Sequence, residues 1–281
     1  MAVTPSRPRL KRAPGVALAG TVFACLFTGP IALGPAWADT GHYRFEAYWG
    51  GLHAADFVLS LDNGGTAYGT EFRLATRGLV DAILKLRVNA DSAGAASGHD
   101  FAPARYHVAY TNRYRARSVR VTFPPDGPAT ARTRTERGDQ AEEEYGGTDK
   151  LPAAQRAGTI DPVSALAQAI AYVRHAPAAA KAGFRLGVFD GRRRYDLIGR
   201  YVGETKRSIL GRDHQVLVLR LETEAIAGFR QVQRLFWDDN AFHVYLSNDG
   251  RYRPLQIDSI GTGPIMHMVE ECAAPCRLKS D

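Results

Sequence analysis

From Asp39 onward polar and apolar residues alternate with a period of two, and Gly, Asn and Asp cut the alternation at short intervals. "HYRFEAYWGG" reads as a strand ending in a Gly-Gly break, and "HAADFVLSLDNGGTAYGTEFRLAT" as two strands joined by a "DNGG" turn. The stretches "ILKLRVNADSAG", "FAPARYHVAYTNRYRARSVRVTF", "FRLGVFDGRRRYDLIGRYVGET", "HQVLVLRLETEAI", "FRQVQRLFWDD", "FHVYLSNDGRYRPLQIDSI" and "GPIMHMVE" continue the series. Strands this frequent, joined by short turns, predict a mainly β protein. The expected form is a strongly curved antiparallel sheet, an open or spiral β-barrel.

One stretch departs from period two. In "TIDPVSALAQAIAYVRHAP", Asp161 is placed to cap a helix, Pro162 sits at its first position, and Val163, Leu166, Ile170 and Val173 recur at helical spacing. A lone amphipathic helix must bury its apolar stripe, and the concave face of a curved sheet is the surface available. The polar stretch 124–160 before it reads as a loop, with "TARTRTER" as a candidate solvated edge strand. Strands continue on both sides, so a single domain over 39–281 is expected.

The turn in "VFDGRRRYDL" decides where three arginines point. Asp190-Gly191 suits a two-residue type I′ hairpin turn. That turn would set Val188 opposite Arg193, Leu186 opposite Tyr195, Phe184 opposite Leu197 and Arg185 opposite Asp196. Arg192 and Arg194 would then be solvated, whereas Arg193 falls on the apolar face at the rim, with its stem over the core. In "TNRYRARSVRVTF", Arg113, Arg115 and Arg117 share parity with Val119, Val121 and Phe123. Such a face either runs from solvent into the core or is broken by a bulge near Ser118.

Residues 1–38 follow another logic. Arg7, Arg9, Lys11 and Arg12 precede the apolar "VALAGTVFACLFTGPIALG", and "AWA" ends at Ala38. These are the parts of a secretory signal, with cleavage expected after Ala38. Pro30 and Gly34 and the small-residue site argue against a retained membrane anchor. Of the 36 basic and 29 acidic residues, four basic ones fall in this leader, so the exported chain carries 32 − 29 = +3. That modest balance does not suggest nucleic-acid binding as a main activity, and no nucleic-acid partner is expected. No other stretch is apolar enough to cross a membrane as a helix.

Candidate chemistry is sparse. No G-x-S-x-G, H-E-x-x-H or G-x-x-x-x-G-K-[ST] occurs. Cys272 and Cys276, alone beyond the leader, predict a short disulfide in an oxidising compartment. The alternative is a soft-metal site with His267 and Met266 or Met268, whose spacing matches no zinc pattern. No catalytic residue, cofactor or metal is expected. Trp49, Tyr195, Tyr201 and Trp237 either fill the core or, with Arg193, line a cavity between sheet and helix; these five are the ligand-binding candidates.

"YWGG", "DPVSALAQ", "FDGRRRYDL" and "LSNDGRYRPLQIDSIGTG" occur in an order and spacing that resemble domain-of-unknown-function family 3108, exported bacterial proteins, over nearly all of the chain beyond the leader. The resemblance implies a periplasmic protein of Gram-negative bacteria with a curved sheet around a helix, similar in outline to periplasmic lipoprotein carriers. It supplies no catalytic residues. The expectation is a non-enzymatic protein that binds a lipid or acylated peptide and serves the cell envelope. The rival is an interaction module that docks on peptidoglycan or an outer-membrane partner through its arginine faces.

Overall fold

A computed structural model describes residues 39–137, 140–145, 151–231, 234, 241–261 and 263–278. The expected leader lies outside them, and so does Trp237. The strands are β1 (Asp39–Trp49), β2 (Leu52–Asn63), β3 (Ala67–Thr76), β4 (Arg87–Ser97), β5 (Asp100–Asn112), β6 (Arg115–Thr122) and β7 (Thr130–Arg137). They continue with β8 (Gln140–Tyr145), β9 (Phe184–Phe189), β10 (Arg194–Ile209), β11 (Arg212–Ala227), β12 (Ala241–Ser247), β13 (Pro254–Ser259) and β14 (Ile265–Cys272). Four helices are named beside them: α1 (Gly78–Leu84), α2 (Ala153–Arg156), α3 (Pro162–His175) and α4 (Pro177–Ala182).

All strands belong to one antiparallel sheet in the order β8-β7-β6-β5-β4-β3-β2-β1-β14-β13-β12-β11-β10-β9. The chain lays down β1 to β8 outward, crosses through the helices, and returns from β9 to β14 alongside β1. The sheet has two edges and is not closed.

Curvature follows from what α3 touches. The helix packs on β3, β4 and β5 on one flank and on β9 and β10 on the other. In the sheet those groups are separated by β2, β1 and β14 to β11, so the sheet must curl around the helix. Gly191 gives a second sign of the same curl: a Cβ there would lie 2.4 Å from Val119 Cγ1, so the β9–β10 turn presses on β6. Its φ of +92° also suits glycine.

The start of α3 is fastened to the edge strand. Ile160 N donates to Gly187 O and Phe189 N to Ile160 O, both at 2.9 Å. Asp161, fully buried, accepts from Val163 N and Ser164 N at 3.0 Å, and from the hydroxyls of Ser92 and Ser164 at 2.6 Å. The expected cap is therefore present and is braced from β4. Along α3, Ala165, Ala169, Ile170 and Val173 pack against β9 to β12, and Ala167 and Ala171 against Tyr68 and Phe101. Small residues on both flanks let the helix lie close to the sheet. Phe45 and Phe57 stack at 4.5 Å in the neighbouring cluster beneath β1 and β2, a geometry worth about 0.5–1.5 kcal/mol beyond the area buried.

Several local expectations are corrected. The stretch 124–160 is not a loop: it holds β7, β8 and α2, and Ala131 and Thr133 of β7 are buried. β8 pairs along β7, so "TARTRTER" is not an edge. The start of "ILKLRVNADSAG" belongs to α1, with the strand beginning at Arg87. In "FRQVQRLFWDD", Phe229 and Arg230 lie outside any strand, Gln231 and Arg234 are helical, and the remaining positions lie outside the described residues. The Gly50-Gly51 pair makes the β1–β2 turn with φ of +56° and +81°, and no backbone approaches there.

The β9–β10 register also differs. Asp190 N donates to Arg193 O, and Asp190 Oδ1 accepts from Arg192 N and Arg193 N, so four residues form the turn. Val188 then faces Tyr195 and Leu186 faces Leu197. The shift is even, so the apolar face is preserved although each pair changes partner. Arg185 still reaches Asp196, now diagonally, at 2.6 Å. Arg194 is not solvated: it folds over Gly187 and pairs with Asp196. In β6 the basic face runs inward without a bulge, from exposed Arg115 to buried Arg117, Val119 and Val121.

Candidate functional site

Between α3 and the concave sheet lies a cavity of about 580 Å³. Its floor is the first turn of α3, at Pro162, Ala165 and Leu166. One wall comes from β1, β2 and β3 with α1, at Ala47, Ala55, Phe57, Phe72, Leu74 and Val80. The other comes from β10 to β14, at Tyr195, Leu197, Leu221, Phe242, Val244, Ile257 and Met266. The hollow exists because Ala47, Ala54, Ala55 and Ala165 occupy positions where a larger side chain would fill it. Its size falls within the range of small-ligand sites.

The wall carries no charge. Among the described residues its polar side-chain groups are the hydroxyls of Thr76, Thr223 and Tyr195 and the indole N–H of Trp49. Burial, with Asp190 and Asp161 adding to it, pushes the Tyr195 phenol well above its usual range, so it stays neutral. The buried Asp161–Ser92–Ser164 group caps the helix and does not line the cavity. What this arrangement can do chemically is accept apolar surface. A charged group inside would lose its hydration without a partner.

Of the five ligand candidates, the structure brings two to this cavity: Tyr195 on the wall and Trp49, 60% exposed, at the mouth. Arg193 is half-buried in the β9–β10 turn, its guanidinium 5.4 Å from the Phe229 ring centre, away from the lining. Tyr201 packs at the edge of the α3 core, with Lys181 Nζ 5.5 Å from its ring centre and its hydroxyl toward Glu204. Its parity along β10 matches Tyr195 in an unbroken register, but it stands six residues further along the strand, beyond Leu197, and so past the hollow. Trp237 lies outside the described residues. Sequence reasoning missed the lining alanines and α1; a cluster of alanines on two elements facing α3 was the available signal.

Cys272 and Cys276 are placed as a disulfide, with Cα atoms 5.7 Å apart. Met266 and Met268 stand opposite Ala47 and Phe45, whereas His267 stands opposite Glu46 on the other face, so the soft-metal set is not assembled.

The helix beside the mouth is held by one carboxylate. Asp81 of α1 accepts from Thr76 Oγ1 at 2.7 Å and from Arg87 Nη1 at 2.5 Å. The bonds from Arg87 and Thr76 bring its pKa down from 3.8 to about 2. A lowered carboxyl pKa gives stability that is present above pH 3.8 and is lost as the pH falls toward 2. Asp81→Asn is expected to flatten the acid limb of a urea-stability profile in that window. An unchanged profile would show that Asp81 does not anchor α1.

The comparisons with known proteins add a family and no activity. The family model described as "Protein of unknown function (DUF3108)" matches residues 44–269. No curated protein matches the chain.

Proposed function

The chain belongs to this family of unknown function, and we propose that it is a non-enzymatic periplasmic protein that holds an apolar or amphipathic ligand, a lipid or acylated peptide, in maintenance of the cell envelope. The observation that carries this reading is the uncharged cavity of about 580 Å³ between α3 and the curled sheet. Burying apolar surface there gains about 25 cal/mol per Å². A ligand with a charged end would place its tail among Leu166, Leu221 and Met266 and keep its head at the mouth, beside Trp49. The leader-like residues 1–38 support export.

The rival reading, docking through arginine faces, has weaker support. Arg185 is tied to Asp196 and Glu224, Arg44 to Glu270, and Arg251 and Arg253 to Glu271. Those cations are matched on the protein's own surface, and of the arginine run in the β9–β10 turn Arg194 is held by Asp196 as well.

Native mass spectrometry after gentle purification, with titration of a fluorescent fatty acid, tests the proposal. Co-purified lipid or saturable uptake at one molecule per chain is expected. Repeated absence of both would remove it.

A further inference from the structure

Among the described residues, every exposed large apolar side chain except Val202 and Leu210 stands at the end of the sheet where the cavity opens. Trp49 and Leu52 face each other across the β1–β2 turn, and Ile265 pairs opposite Tyr48. α1 extends this rim with Leu79 and Ile83, 65% and 59% exposed. The parts are joined. A Cβ on Gly78 would lie 3.4 Å from His53 O, and Arg113 N donates to Leu84 O at 3.1 Å.

Cations border the same rim. Lys85 ends α1, and Arg113 and Arg115 flank Tyr114 in the β5–β6 turn, all of them exposed. The neighbouring acids are already matched: Asp81 by Arg87, and Asp56 by Arg77 and His53. Among the described residues these three cations make no ion pair: Arg113 Nη2 donates to Ala82 O and Arg115 lies over the Tyr110 ring. An apolar ridge with aromatic side chains and such a positive border suits the headgroup–acyl boundary of an anionic bilayer. A second copy of this chain would bring the same cations against them.

We infer that this rim seats the protein on the surface of an anionic phospholipid bilayer, with the cavity mouth facing the lipid. Trp49, Leu52, Leu79 and Ile83 enter the boundary layer, and Lys85, Arg113 and Arg115 lie at the level of the phosphates. The inference stands on the rim and does not depend on what the cavity holds.

Flotation with vesicles of phosphatidylcholine alone or mixed with phosphatidylglycerol tests it. The exported chain, residues 39–281, would carry Trp237→Phe, leaving Trp49 as its one tryptophan. Binding to the anionic vesicles is expected, with a blue shift of Trp49 emission and quenching by brominated lipid. Leu79→Gln with Ile83→Gln, both exposed in the free protein, is expected to weaken binding roughly tenfold or more while the melting curve and fatty-acid uptake stay unchanged. No flotation at low salt, flotation unaltered in the double variant, or an unquenched Trp49 would each overturn the inference. A dimer that shields Trp49 without vesicles would also overturn it, by assigning the rim to a second copy. Flotation without any fatty-acid uptake would uphold the rim and sink the cavity reading instead.

Discussion

Replacing Ala55 and Ala165 together by Phe is expected to abolish uptake of a fluorescent fatty acid while the protein stays folded. Both positions line the cavity, one on β2 and one on the first turn of α3, and both are buried. In a packed core such enlargements force strain of about 1–3 kcal/mol. Here the added rings have an empty space to enter, so most of that cost is avoided. The ligand loses the same space, and affinity should fall about a hundredfold or more, which corresponds to about 3 kcal/mol of lost apolar burial. Fluorescence titration beside circular dichroism and a thermal melt reads both effects. Uptake unchanged in a folded double variant would mean that the ligand binds elsewhere.

Asp161→Ala is expected to cost about 3–5 kcal/mol of stability, read as a lower urea midpoint with an unchanged slope. The carboxylate satisfies Val163 N, Ser164 N and two serine hydroxyls at a site with no exposure to water. Removing it orphans buried donors at the point where α3 meets β4 and β9. Asp161→Asn keeps an acceptor for the helix and should cost far less. It should also change the pH dependence. Burial raises the Asp161 pKa above 3.8, outweighing the bonds from Ser164 and Ser92. The wild type therefore loses stability relative to the Asn variant as the pH rises from 3.8 through the folded pKa. A loss under about 1 kcal/mol in the Ala variant, within the range of an ordinary exposed cap, would show that α3 is held by packing alone.

The strands and α3 were legible in the sequence because each rests on a local rule. Alternation marks a half-buried strand wherever a turn residue ends it, and Asp161-Pro162 signals a helix start that no neighbour contradicts. α1 was not legible. It has seven residues, its N-cap Arg77 makes no side-chain cap, and Leu79, Ile83 and Leu84 face solvent, leaving Val80 alone toward the cavity rather than a core stripe. The β9–β10 turn was misjudged because Asp190 can cap two later amides as readily as it can enter a two-residue turn. The site was half legible. Trp49 and Tyr195 were found from residue type and parity, but a cavity is made by what is missing. Ala47, Ala54, Ala55 and Ala165 become its walls only once the sheet has curled and set β2 across from α3.

The most direct measurement is a crystal structure of the protein soaked with a brominated medium-chain fatty acid. Anomalous bromine density among Ala165, Leu166, Leu221 and Met266, with the carboxylate toward Trp49, is the expected result. A sheet curled as described whose hollow is packed solid by side chains, with no bromine inside it, would contradict the account.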